Sequence, residues 1–98
     1  APVEVFVFTH KSLGKFAASD AGLFMQNLIL SAHSKGLGTC AQGAVAVWED
    51  AVREEFEVSK NYSLLCGICV GYPSESPING FAANRIPPSE IIPPLRRN

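Results

Sequence analysis

Leu64 to Pro73 reads LLCGICVGYP and sets Cys66 and Cys69 at C-x-x-C spacing. Thiols so spaced serve redox chemistry when the pair opens a helix, whose amide dipoles lower the thiol pKa. They serve zinc when a second pair of ligands completes a tetrahedron. Neither context is legible here. Val70-Gly71-Tyr72-Pro73 follows the pair with no helix start, and the other candidate ligands, Cys40, His10 and His33, stand at unrelated spacings. Tyr62 to Val70 has the composition of a buried strand. In a strand, residues three apart point to opposite faces. Cys66 and Cys69 therefore neither pair nor share a metal, and no metal site is expected.

The third cysteine, Cys40, lies in GLGTCAQGA, Gly36 to Ala44. As a nucleophile it would need a basic neighbour to activate it, and none lies near in sequence. No paired carboxylates in a pocket-like context and no Ser/His/Asp signature occur elsewhere, so no catalytic side chain is expected. What remains are groups suited to holding a ligand. The glycine-rich stretch exposes main-chain amides and permits close approach. Gln42 both donates and accepts. Arg85, in NGFAANRIPP, has a planar fork that matches a phosphate. On spacing alone each has a plainer reading, as an ordinary turn or a solvated arginine.

The elements that must position these groups follow from pattern. Val3 to Phe8, VEVFVF, reads as a buried strand, and Thr9 to Ser19 as a connection with room for a short helix. Asp20 reads as the N-cap of a helix from Ala21 that ends before Gly36, a good C′ residue. Leu23, Phe24, Met25, Leu28, Ile29, Leu30 and Ala32 cover most of that helix, which implies burial on several sides. His33, near its end, reads as solvated or capping. Gly36 to Ala44 is expected to be a loop. VWEDAVREEFEV follows as a short helix with Val52 and Phe56 at i, i+4. Six of the seven prolines fall in Pro73 to Pro94, an arm that cannot hold long regular structure, although Ser89 to Ile92 has room for one turn.

Bulk properties exclude several classes. Ninety-eight residues make one small domain. The chain is 47% hydrophobic and 17% charged, a globular rather than a disordered balance. A net charge of −1 gives no reason to expect nucleic acid or an anionic membrane as partner. Arg96 and Arg97 read as a solvated tail. No apolar run reaches the ~18 residues of a membrane span, and no signal peptide is legible after the abrupt start at Ala1. Three cysteines, an odd and sparse count, favour a reducing, cytoplasmic setting.

Taken together, DAGLFMQNLILSAHSKGLGTCAQG, AVREEFEV, LLCGICVGYP and NGFAANRIP resemble, in order and over about Val3 to Ile92, the C-terminal half of the FMN-dependent nitroreductase family. The resemblance implies an α+β fold, a mixed sheet flanked by helices and incomplete in this chain. Residues 1–98 would be the C-terminal part of the FMN-binding domain. It implies that main-chain groups of Thr39, Cys40, Ala41, Gln42 and Gly43 meet the flavin N5 and its neighbouring carbonyl. Arg85 would bind the FMN phosphate. Many relatives carry a lysine two residues before that arginine; here the position is Ala83, which implies a weaker or altered phosphate grip.

Family subunits also begin with helices bearing an Arg-Arg-Ser-type segment and work as intertwined dimers with FMN at the interface. The expected partners are thus a second copy, the N-terminal segment, or both. The expected activity is NAD(P)H-driven reduction of nitroaromatics, quinones or similar small aromatic acceptors by a ping-pong route. The competing expectation is a non-catalytic nitroreductase fragment that binds a companion chain but no flavin. A thiol or zinc protein built on Cys66 and Cys69 ranks last, on strand alternation.

Overall fold

The computed structural model describes residues 1–97. In chain order it contains β1 (Val3–His10), α1 (Gly14–Ser34), β2 (Gly38–Gln42), α2 (Glu49–Glu55), β3 (Tyr62–Gly71) and α3 (Pro88–Ile91). Single 3-10 turns fill Lys11–Leu13, Gly43–Trp48 and Pro77–Gly80. The sheet order is β1-β3-β2, and both pairings are antiparallel. β3, the most apolar strand, takes the centre because only there are both its edges and both its faces covered.

Register assigns the faces. Val5 and Val7 of β1 lie opposite Ile68 and Cys66 of β3, and this face packs on α1. Val7, Ala21 and Ile68 form the core there, with Val5, Met25, Leu28, Leu65 and Val70 around them. Glu4, Phe6, Gly67 and Cys69 point the other way, toward the Gly43–Trp48 turn and α2. A bulge between Val7 and Phe8 leaves Leu65 as the extra residue of β3. The mixed helix-and-sheet architecture expected of these residues is therefore present, with a helix on each face.

Several boundaries differ from expectation. Thr9 and His10 complete β1 rather than opening a connection. α1 starts at Gly14, where φ is 54° and the chain turns sharply. Asp20 consequently lies inside α1 and caps nothing; Leu13 occupies the N-cap position without a side-chain bond. The missed signal was Ala17 beside Ala21, two small buried residues that let the helix's first turns approach the sheet. Phe56 lies outside α2 in extended conformation, because its ring leaves the helix face to meet Phe6, 5.9 Å between centroids.

Gly36 does end α1. With φ at 76° it holds the left-handed C′ position. Leu37 N–H donates to Ala32 C=O and Gly36 N–H to His33 C=O, the paired bonds of a Schellman motif. Alanine at position 36 is expected to cost about 1–2 kcal/mol, the steric penalty of a Cβ in that region. The check is a lowered urea midpoint with an unchanged slope.

The helix is far less covered than its sequence demands. Only Ala17, Ala21 and Ala32 are buried, while Leu23 is 67% and Phe24 55% exposed. The arm after Pro73 is exposed throughout. The radius of gyration is 17.2 Å, against about 13 Å for a compact domain of this length. The expected single turn is present in the arm as Pro88–Ile91. Among the described residues no helix is long and apolar enough to cross a membrane.

Candidate functional site

The stretch expected to be a loop, Gly36 to Ala44, is mostly strand. Gly38 to Gln42 pairs with β3 from Gly38↔Gly71 to Gln42↔Gly67. β3 has an open second edge, and the Schellman turn at Gly36 redirects the chain along it. A Cβ on Gly38 would sit 3.3 Å from the Pro73 Cβ, so glycine at that position serves close packing rather than a turn.

β2 is an edge strand, which leaves a row of main-chain N–H and C=O groups facing outward. Thr39 and Ala41 pair with Val70 and Ile68 and lie on the α1 face; Cys40 and Gln42 pair with Cys69 and Gly67 and lie on the α2 face. Cys40, Ala41, Gln42 and Gly43 are all exposed, and Thr39 is half-buried. Gly43 opens the following turn, with no atom within 4 Å of the place a Cβ would take. The edge thus offers amide donors and carbonyl acceptors in one line, ending at a residue whose backbone can be approached from outside.

Arg85 is not brought to this edge. It lies on the exposed arm, where Nη1 donates to Ala83 C=O at 3.1 Å and to Asn84 C=O at 3.2 Å. Its Nε and Nη2 make no hydrogen bond among the described residues and point a cationic fork outward. Beyond Pro73, Asn79 of the arm reaches β2. It lines a cleft of about 210 Å³ with Thr39, Cys40, Cys69 and Pro73, while its own Nδ2 donates to Ser74 C=O at 2.7 Å.

Cys66 and Cys69 stand on opposite faces, as alternation requires. Cys66 is buried against α1 and donates to Gly67 C=O at 3.2 Å. Cys69 donates instead to Glu4 Oε2 at 2.7 Å. That bond to the Glu4 carboxylate, with burial, pushes the Cys69 thiol pKa up. Sequence reasoning passed over Glu4, although a lone carboxylate within VEVFVF was a visible signal. Among the described residues no three His, Cys, Asp or Glu side chains converge on a metal position.

Arg53 was also passed over. Its Nε and Nη2 grip Glu49 Oε1 at 2.8 and 2.6 Å, Nη1 donates to Val58 C=O, and Nη2 to Tyr62 C=O. The guanidinium holds the Glu49 carboxyl below the usual carboxylate range. This hub ties α2 to the start of β3 and has no free group for a ligand. On the α1 side, Val5, Val7, Phe8, Ala21 and Phe24 line an open, largely apolar cleft of about 520 Å³.

A model of the nitroreductase family matches residues 1–72. The 4-nitrobenzoate reductase of Nocardioides sp. (strain LMS-CY) is 38% identical over 88 residues, which is 89% of this chain and 36% of that protein. Among solved structures, the FMN-dependent nitroreductase NfnB from Mycobacterium smegmatis, in complex with NADPH, superposes with a TM-score of 0.85 at 30% identity. It covers 95% of this chain and 42% of that one. The FMN and NADPH-dependent nitroreductase NfnB from sphigopyxis sp. strain HMH gives 0.89 at 26% identity, over 99% and 44% of the respective chains. The chain thus spans less than half the length of the relatives it matches.

Proposed function

Because the chain belongs to the nitroreductase family, we propose that residues 1–98 are the C-terminal part of an FMN-binding domain and that the outward edge of β2 is its flavin-facing surface. The observation that carries this reading is the outward main-chain edge of β2 from Thr39 to Gln42, followed by Gly43, where an added Cβ would meet open space. A flavin presents N5 and a neighbouring carbonyl as adjacent acceptors along one ring edge, and a strand edge offers donors of matching kind. The residues present therefore fit the group. Main-chain groups of Thr39, Cys40, Ala41, Gln42 and Gly43 hold and orient the ring, and Arg85, which lies away from this edge in its own chain, takes the phosphate of a flavin held on a second copy.

FMN held along Thr39 to Gly43 would supply the redox chemistry, ping-pong hydride and electron transfer between NAD(P)H and a nitroaromatic, quinone or similar flat acceptor. The chain's own contribution is positional. Main-chain donors at the ring edge favour negative charge there without a titrating side chain, and the β2–β3 ladder keeps those donors from moving. On this reading the flavin reaction needs no side chain as acid or base, because water or the flavin's own surroundings supply the protons.

The working molecule on this reading includes a second copy, the N-terminal part of the domain, or both. Two features support it: the apolar cleft beside α1, and an arm that carries exposed Ile78, Phe81, Ile86, Ile91 and Ile92 away from its own chain. Exposed apolar area of that extent marks an interaction surface. We place the protein in the cytoplasm on its sparse, odd cysteine count.

The test is a visible absorption spectrum of the 98-residue chain after FMN is added and the excess removed. A retained, shifted flavin band is expected. If no band is retained, and adding the N-terminal part of a relative's domain restores none, flavin binding at β2 is refuted. The chain would then be a companion-binding fragment, the reading that Ala83 favours.

A further inference from the structure

One cluster of nucleophilic and titratable side chains takes no part in the proposed cofactor contacts. Glu4, Cys69 and Cys40 occupy one row across the sheet: Glu4 pairs with Cys69 in β1–β3, and Cys69 with Cys40 in β2–β3. In an antiparallel ladder, directly opposed residues share a face and hold their Cα atoms about 4.5–5.5 Å apart. That separation lies inside the ~4.4–6.8 Å range that a disulfide spans. Cys40 is exposed and Cys69 half-buried, both thiols are free, and both line the same open cleft. Glu4 Oε2 already accepts the Cys69 S–H at 2.7 Å. Its other oxygen, buried, has no hydrogen-bond partner among the described residues.

We propose that Cys40 and Cys69 form a peroxide-sensitive dithiol, with Glu4 as the base that releases the second thiol. The accessible member reacts first, its thiolate attacking one oxygen of hydrogen peroxide. The Cys40 sulfur is oxidised to a sulfenic acid as the O–O bond breaks and one water leaves. Cys69 sulfur then displaces the sulfenic oxygen. Its proton passes to Glu4 and on to the departing hydroxide, which leaves as a second water. The balance is two thiols and one peroxide to one disulfide and two waters.

The order follows from environment. The carboxylate hydrogen bond keeps Cys69 protonated and shielded, and the thiolate is the form that peroxide oxidises. Cys66 takes no part, since it lies on the α1 face. The product staples the edge strand β2 to the central strand along a row of side chains. Cys40 also lends its main chain to the proposed flavin edge, so the thiols are tested in the FMN-free chain.

The experiment treats the reduced 98-residue chain with hydrogen peroxide, then blocks remaining thiols and maps the peptides by mass spectrometry. The expected result is an intrachain Cys40–Cys69 link, reversed by dithiothreitol, with Cys66 still open to alkylation after unfolding. Two variants follow the steps. Cys69→Ala should accumulate a Cys40 sulfenic acid that dimedone traps. Glu4→Gln should form that acid at the parental rate but close the disulfide roughly a hundredfold more slowly, the low end of what a positioned base contributes. Over-oxidation of Cys40 with Cys69 still reduced, or a Cys40–Cys40 link between chains, would overturn the pair. Unchanged closure in Glu4→Gln would remove the role of Glu4.

Discussion

Ile68→Ala is expected to cost about 2–5 kcal/mol, the range for emptying a closed core position. Ile68 is the side chain with no exposure at all. It lies on the central strand, between Val5 of β1 and Ala41 of β2, with Ala21 of α1 in the same cluster. Its neighbours sit on paired strands and on α1, so collapse into the void would require α1 itself to shift. A domain of this size holds only about 5–15 kcal/mol in total, and this one leaves much apolar surface uncovered. The measurement is chemical denaturation followed by circular dichroism. The expected outcome is a large drop in midpoint, or a chain already unfolded in buffer; Ile68→Val should fall between, at about 0.5–1.5 kcal/mol. A loss below about 1 kcal/mol for alanine would mean the α1–sheet contact is not the core of the fold.

The second large effect concerns the cofactor. Arg85→Ala is expected to weaken FMN binding by roughly 10- to 100-fold, the equivalent of losing a charge-assisted hydrogen-bonded contact of about 1.5–3 kcal/mol. Arg85→Lys should recover only part of this, since an ammonium is a point charge without the bidentate fork. Riboflavin supplies the control. It carries the same ring and no phosphate, so its affinity should be the same in the parent and in Arg85→Ala. Equal losses for both ligands would mean Arg85 acts on the arm's conformation. No loss for either would leave the phosphate to other residues and return Arg85 to its two backbone carbonyls, Ala83 and Asn84.

Secondary structure was legible wherever one physical signal dominated. β3 could be read from its β-branched and apolar run. The end of α1 followed from glycine alone, because few other residues tolerate the φ of 76° at Gly36. The opposite faces of Cys66 and Cys69 followed from the two-residue period of a strand. Where two signals competed, the reading failed. Asp20 has the chemistry of a cap, but the helix began earlier, where small Ala17 allowed close packing. Gly36 to Ala44 has the composition of a loop, but strand pairing decided the outcome at Gly38 to Gln42.

Alone, the sequence determined the family, two of the three strands, the presence of α1 and α2 and the opposite faces of Cys66 and Cys69, because local periodicity and linked motifs carry that information. Only the tertiary structure decided that Thr39 to Gln42 form a free sheet edge, and that Glu4, Cys69 and Cys40 share one row. Those residues are brought together by pairing across 65 positions of chain in the Glu4–Cys69 contact. Register between distant strands is set by the packing of whole faces, which no local pattern records.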